Sequence, residues 1–316
     1  VNGRLFRLGD RVRLVGGLVA FVGGVFLAVQ GRLNGELGHV FGDGFLAALV
    51  SFGGGLALLL LGVPTTAAGR AGLARLRSSL RSGRIRWWQC VGGACGAFFV
   101  STQGLTITAL GVAVFTVAAV GAQTVSSLLV DRAGLGPAGR VSLSAPRVIG
   151  AGLAVVAVAI AVSDEFGDPS ALWLALLPAV AGIGLGWQQA MNGLVREAAQ
   201  STRVTTLVNF GTGTIVLLAV CAVDLAVRGF PTQAPTEPWF YLGGILGIVT
   251  IGTAVLAVRW LGVLVVGLCQ VAGQLVGAIV VDVIAPAPGE QLSAATVVGT
   301  ALTLLAVVVA ARPRAR

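Results

Sequence analysis

Ten continuous apolar runs, each close to the length that crosses a hydrocarbon core at about 1.5 Å per helical residue, decide what this 316-residue chain can fold into. They lie near 14–33, 45–62, 88–109, 112–130, 147–163, 171–190, 203–223, 239–257, 261–281 and 293–311. In lipid every backbone polar group has to be satisfied internally, which leaves helices or closed barrels. Runs that are continuous, rather than alternating apolar with polar, exclude the barrel. Composition agrees: 56% of residues are hydrophobic and 10% charged, and 47 glycines suit helices packed backbone to backbone. The expected fold is an all-α integral membrane protein with ten transmembrane helices. The first run is expected to be a span and not a signal peptide, because a polar cluster follows it in place of a small-residue cleavage site.

All 21 cations are arginine, and they sort by side. With the N-terminus in the cytoplasm, Arg4, Arg7, Arg11 and Arg13 lie inside. Arg70, Arg75, Arg77, Arg81, Arg84 and Arg86 join them, as do Arg132, Arg140, Arg147, Arg196, Arg203, Arg259, Arg312, Arg314 and Arg316. Only Arg32 and Arg228 face out. This is the positive-inside bias of a multi-pass membrane protein, and it is expected to leave both termini in the cytoplasm. It accounts for a pI near 11.2 with no nucleic-acid partner, since the arginines are spread over loops without an aromatic stacking pattern. The segment 70–84 carries Leu73, Leu76 and Leu80 at helical spacing among arginines. It reads equally as an in-plane helix on the inner leaflet and as a solvated connector. The acidic loop 163–170 and the proline-rich connector 229–238 read as solvated joins.

The polar cluster after the first run returns in the second half. Gln30 and Asn34 match Gln188 and Asn192, Gly35 matches Gly193, and "LVSFGGG" from Leu49 matches "LVNFGTG" from Leu207. The offset is constant, since 188 minus 30 and 207 minus 49 are both 158. A second register covers the later spans. "VGGACG" from Val91 matches "LGGILG" from Leu242, Leu110 and Gly111 match Leu261 and Gly262, Gln123 matches Gln274, and Asp131 matches Asp282, each pair 151 apart. The repeat divides the chain into two five-span halves, 1–163 and 164–316, forming one domain between them. Five is odd, so the second half enters from the opposite side, and inverted repeats of this kind suit alternating access with a site near midplane.

A five-plus-five inverted repeat with "QGRLNG" and "QQAMNG" ending the first span of each half, followed by "SFGGG" and "NFGTG", resembles the drug/metabolite transporter superfamily. Within it the sequence is most similar to the YdcZ-like branch of inner-membrane exporters, with an EamA-like fold. The resemblance spans about Val15 to Ala311. It implies secondary transport of a small molecule, by export, across the bacterial cytoplasmic membrane; no cofactor is expected. The small multidrug resistance relatives carry a glutamate deep in the first span, which is absent here, and Glu36 is the carboxylate left to carry any coupling.

Buried amides are costly in lipid unless paired, so they mark interhelical glue or a hydrated cavity. Gln123 lies eight residues from Asp131, roughly 12 Å along a helix, near the middle of its span. Gln274 is its mate, Gln270 lies one turn away, and Gln103 sits within the third run. These four, with the weaker candidates Ser51 and Asn209, are the expected substrate-binding residues, against the alternative of glue. Gln30, Asn34, Gln188 and Asn192 read as symmetry-related gate positions or as capped helix ends. Asp131 and Asp282, at the ends of equivalent helices, read as charged gate elements or as solvated ends, with Arg132, Arg140 and Arg147 available to the first and Arg32 and Arg228 to the second.

No metal site is expected from cysteines at 90, 95, 221 and 269, and no phosphate-binding loop is present for ATP. His39 stands alone as the one histidine. A membrane scaffold and a lipid-modifying enzyme remain alternatives, the second resting on Glu36, His39 and Asp43. The partners expected are a small-molecule substrate and the bilayer, with a homodimer left open. Trp87, Trp88, Trp173, Trp187, Trp239 and Trp260 read as interfacial anchors.

Overall fold

A computed structural model describes residues 2–137, 139–140, 144–161, 163, 169–229, 231, 235–261, 263–286 and 293–310. Gly262, most of the acidic loop 163–170, part of the connector 229–238 and the arginines beyond 310 therefore lie outside the described residues. The described residues form ten α-helices, in chain order α1 (Asn2–Phe41), α2 (Gly44–Gly62), α3 (Ala67–Arg81), α4 (Gly93–Ala133), α5 (Ala145–Ala161), α6 (Pro169–Ala199), α7 (Thr202–Arg228), α8 (Gly243–Leu261), α9 (Val263–Ile284) and α10 (Ala294–Ala310). Among the described residues there is no strand.

Among the described residues, six stretches are long and apolar enough to cross a membrane: Leu14–Phe41, Gly44–Gly62, Trp87–Ala133, Trp173–Ala199, Thr202–Val227 and Val266–Ile284. Three shorter apolar helices accompany them, at Ala145–Ala161, Pro238–Thr253 and Ala294–Val309. The longest stretch is not a single rod. Gly111, with φ 73° and ψ 162°, interrupts α4 in a conformation open essentially to glycine alone. Phe99 and Phe115 then pack with ring centroids 5.4 Å apart, although 16 residues of straight helix would hold them about 24 Å apart. The two limbs of α4 therefore fold back on each other, and the join falls where the sequence places the break between its third and fourth runs.

Two helix joins share one design. After α1, Gly42 takes a left-handed φ of 65°, and Asp43 then caps α2 by accepting from the Phe45 and Leu46 amides at 2.8 and 3.2 Å. After α6, Gln200 takes φ 48°, and Ser201 caps α7 by accepting from the Val204 amide at 3.4 Å. Positions 200 and 201 are 42 and 43 displaced by 158. Each cap satisfies amides that a helix start leaves orphaned, worth about 1 kcal/mol.

Packing rests on glycine. Gly24 in α1 lies directly on the Gln270 carbonyl of α9, and Gly182 in α6 lies on the Ala119 carbonyl of α4. These are the same contact in the two registers, 182 being 24 displaced by 158 and 270 being 119 displaced by 151. With lipid outside as apolar as the protein inside, such close backbone approach and its dispersion energy hold the helices together. Leucine, valine and isoleucine side chains such as Leu61, Ile149, Val155, Ile215 and Val223 are left facing outward. The sequence ends the first and sixth runs at 33 and 190, but α1 and α6 run on to Phe41 and Ala199. The polar clusters are thus interior to helices, which corrects the reading of Gln30, Asn34, Gln188 and Asn192 as caps of helix ends.

Candidate functional site

Two buried amide clusters form where α1 and α6 pass the first turns of α8 and α4. On α1, Gln30 and Asn34 stand one turn apart, and both are buried. Asn34 Nδ2 donates to Gln103 Oε1 of α4 at 2.8 Å. Both residues flank the start of α8, where a Cβ on Gly243 would come within 2.6 Å of Ser51 Oγ and 2.7 Å of Asn34 Oδ1. Gly247, one turn on, faces Gln30 Nε2. Gln30 Oε1, Asn34 Oδ1 and Ser51 Oγ are buried without a hydrogen-bond partner among the described residues. Such groups cost free energy where they stand and are poised to bond if the surroundings rearrange.

On α6 the arrangement recurs. Gln188 and Asn192 flank the start of α4, with Asn192 Oδ1 facing Gly92 and Gln188 Nε2 facing Gly96. Gln188 Oε1 is likewise buried and, among the described residues, unpartnered. Gly92, Gly93 and Gly96 displaced by 151 are Gly243, Gly244 and Gly247. The amides of each half thus rest on the glycine step of the other half. The clusters differ in their bonds: Asn192 Oδ1 accepts from Asn209 Nδ2 at 3.1 Å, whereas Ser51, the mate of Asn209, has no hydrogen-bond partner for its hydroxyl among the described residues, and the Asn34–Gln103 bond has no counterpart because Ala254 stands at the position equivalent to Gln103.

Between the clusters, Phe52 of α2 and Phe210 of α7 pack with centroids 5.0 Å apart. Gly55 lies against the Phe210 ring and Gly213 against the Phe52 ring. Both pairs are 158 apart, so the contact is reciprocal.

The mid-span glutamines separate in role. Gln270 Nε2 donates to the Thr250 carbonyl at 3.2 Å, and Thr250 Oγ1 donates to the Gly23 carbonyl at 3.2 Å, joining α9, α8 and α1. Gln270 thus bridges α9 to α8 through its side-chain amide. Gln274 is buried and Gln123 half-buried, and neither makes a hydrogen bond among the described residues.

The carboxylates hold unequal positions. Asp282, near the end of α9, accepts from the Val112 amide at 2.9 Å and the Ala113 amide at 2.6 Å. It thereby caps the second limb of α4 just past Gly111. Arg32 pairs with Glu36 at 2.7 Å and donates to the Pro286 carbonyl at 3.3 Å, tying α1 to the same end of α9. Asp131 instead ion-pairs with Arg147 at 3.0 Å on a partly exposed surface. The cap by Asp282 is invisible in the sequence, because its partners are backbone amides brought there by the fold. The one available signal is the glycine at 111.

Among the described residues no group of histidine, cysteine and carboxylate side chains is placed to hold a metal, and all four cysteines are free.

Long apolar helices, glycine-mediated backbone packing and two like sets of buried amides define a multi-pass helical membrane protein assembled from two similar halves. The chain belongs to the family described as "Putative inner membrane exporter, YdcZ", whose family model matches residues 15–160 and again 173–309. That is a family of inner-membrane exporters, not of enzymes. A solved structure described only as "Crystal structure of protein" shares the fold, with a TM-score of 0.56 at 17% identity over 94% of this chain and 95% of that one. No curated protein sequence matches the chain.

Proposed function

We propose that this protein is a secondary transporter that exports a small metabolite or drug-like molecule by alternating access between two inverted halves, 1–163 and 164–316. The reciprocity of the contacts between the halves carries this reading. Gly55 on Phe210 with Gly213 on Phe52, and each amide pair on the other half's glycine step, are the contacts of a two-fold relation. With α4 folded in two and α3 lying off the membrane, each half crosses five times: α1, α2, both limbs of α4 and α5, then α6 to α10. An odd count inverts the second half, and the arginines put both termini inside.

In this reading Gln123 and Gln274, whose amides are uncommitted, face the cargo. Gln103, Ser51 and Asn209 join the gate positions Gln30, Asn34, Gln188 and Asn192 in the two amide clusters. At the outer end Asn34 is tied to Gln103, and Asp282 to the turn after Gly111. At the inner end Asp131 is drawn away to Arg147. The arrangement corresponds to a state closed outside. Its partner state, reached by exchanging the conformations of the halves, has Asp131 on the Val263 and Leu264 amides, the equivalents of Val112 and Ala113.

The test uses spin labels at His39 and Ile284 across the outer end, and at the equivalent positions Glu197 and Ala133 across the inner end, in liposomes between pH 5 and 9. The expected result is that the two distances move in opposite senses. A single unchanging distance at both ends under all conditions overturns alternating access.

A further inference from the structure

Helix α3 spends its apolar side on the protein. Gly69, Gly72, Leu76 and Ser79 are buried, with Gly72 against Ser201 and Val204 at the start of α7. Arg75 Nε donates at 3.0 Å to the Ala199 carbonyl, where a cation also complements the C-terminal end of α6. The leucines that would let α3 float on a leaflet are therefore divided: Leu76 is 6% exposed and only Leu80 faces outward.

Beyond α3 the chain turns at Gly83, where φ is 71°, and Ile85 is buried as an anchor. Arg86, Trp87 and Trp88 are thereby brought back beside Leu80, enclosing an open groove of about 590 Å³ lined by Leu80, Gly83, Ile85, Arg86, Trp87 and Trp88. Trp87 is 75% exposed, and it begins the membrane-crossing stretch Trp87–Ala133. Exposed tryptophan at that depth belongs at the level of lipid headgroups. Arg77, Arg81, Arg84 and Arg86 are exposed, and the sequence holds no aspartate or glutamate between Asp43 and Asp131.

We infer that this groove binds one anionic phospholipid of the adjoining leaflet. Its phosphate is held by Arg86 and Arg84, and the first methylenes of its chains lie along Leu80, Trp87 and Trp88. Guanidinium groups suit phosphate because their donors are forked and permanently charged. The apolar walls select a lipid over a free anion, since inorganic phosphate would leave them wet. On the inside-facing assignment of the arginines, which belongs to the topology proposed above, the leaflet is the cytoplasmic one, where anionic lipid is attracted by such segments. Because α3 is pinned to the junction of α6 and α7, the lipid would brace a join between the halves.

The experiment is native mass spectrometry of the full-length protein titrated with phosphatidylglycerol or phosphatidylcholine, repeated with inorganic phosphate as competitor. One phosphatidylglycerol should be retained with at least about tenfold preference over phosphatidylcholine. The double variant Arg84→Gln/Arg86→Gln should lose that preference, Trp87→Ala should weaken retention, Trp87→Phe should restore it, and Arg132→Gln, an exposed arginine elsewhere, should leave it unchanged. Equal retention of the two lipids, competition by millimolar phosphate, or an equal loss from Arg132→Gln would overturn the site. None of these readouts depends on transport, so the proposal fails or stands apart from the alternating-access reading.

Discussion

Phe52 and Phe210, 158 residues apart in the sequence, pack ring to ring at 5.0 Å, and each ring rests on the glycine three residues beyond the other. Truncating either to alanine should destabilise the protein by about 3 kcal/mol, by comparable amounts because the surroundings are equivalent. The double variant should fall short of additivity by about 1 kcal/mol, the share belonging to the ring pair. Unfolding in mixed micelles measures all three. Strongly unequal single-variant losses would show that the two rings are not related positions.

Gly111 holds a backbone conformation that a Cβ cannot share cheaply. Gly111→Ala should cost about 1–3 kcal/mol and disturb the return of the second limb. Gly53→Ala, in an α2 position where an added Cβ meets nothing within 4 Å, should be neutral or stabilise by up to about 1 kcal/mol. If the two variants unfold alike, the fold-back does not depend on this glycine.

The two equivalent aspartates should act in opposite senses. Asp282→Asn removes the charge from two orphan amides at the outer turn and should favour opening outward. Asp131→Asn releases Arg147 and weakens the inner closure of the partner state, favouring opening inward. With the native cysteines replaced and a cysteine placed at Ala122 beside Gln123, impermeant thiol reagents applied from each side measure both. Shifts in the same direction, or none, would leave the carboxylates as ordinary helix ends.

Gln123→Leu and Gln274→Leu each remove an amide that no described residue engages, and each makes its span more apolar. Insertion and thermal stability should hold. Transport of whichever compound stabilises the purified wild type should fall at least tenfold, whereas Gln270→Leu should lower stability first, because it severs the link to Thr250. Normal transport by both of the first two variants would remove them from the cargo path.

Ser78, in α3, and Thr236, before α8, are exposed. Cysteines there should label from opposite sides of the membrane, Ser78 from the cytoplasm. Labelling from one side would end the inverted arrangement.

Much of the fold is legible in the chain because a repeat writes its constraints twice. The 158 and 151 registers relate the amide pairs, the aspartates and the glycine at 111 to their counterparts through sequence alone. Helix ends are less legible. A drop in hydropathy after Val29 reports a change of preferred surroundings, not a loss of helicity. Gly31, Gly35 and Gly38 carry α1 onward against Gln103, Ile107 and Gly104 of α4. The fate of individual glutamines is not legible either. Gln270 and Gln274 stand one turn apart on one face of α9, and only the packing of α9 on α8 sets Gln270 level with the Thr250 carbonyl.

The reciprocal packing at Phe52 and Phe210 also bears on how such a chain can change over evolutionary time. In an assembly of two identical half-length chains, a residue beside the symmetry axis meets its own copy, so any substitution is made twice at once and must tolerate itself. Joining the halves in one polypeptide removes that obligation. Ser51 and Asn209 differ in the way a single polypeptide permits: one is a small hydroxyl with no hydrogen-bond partner among the described residues, and its counterpart is an amide bonded to Asn192.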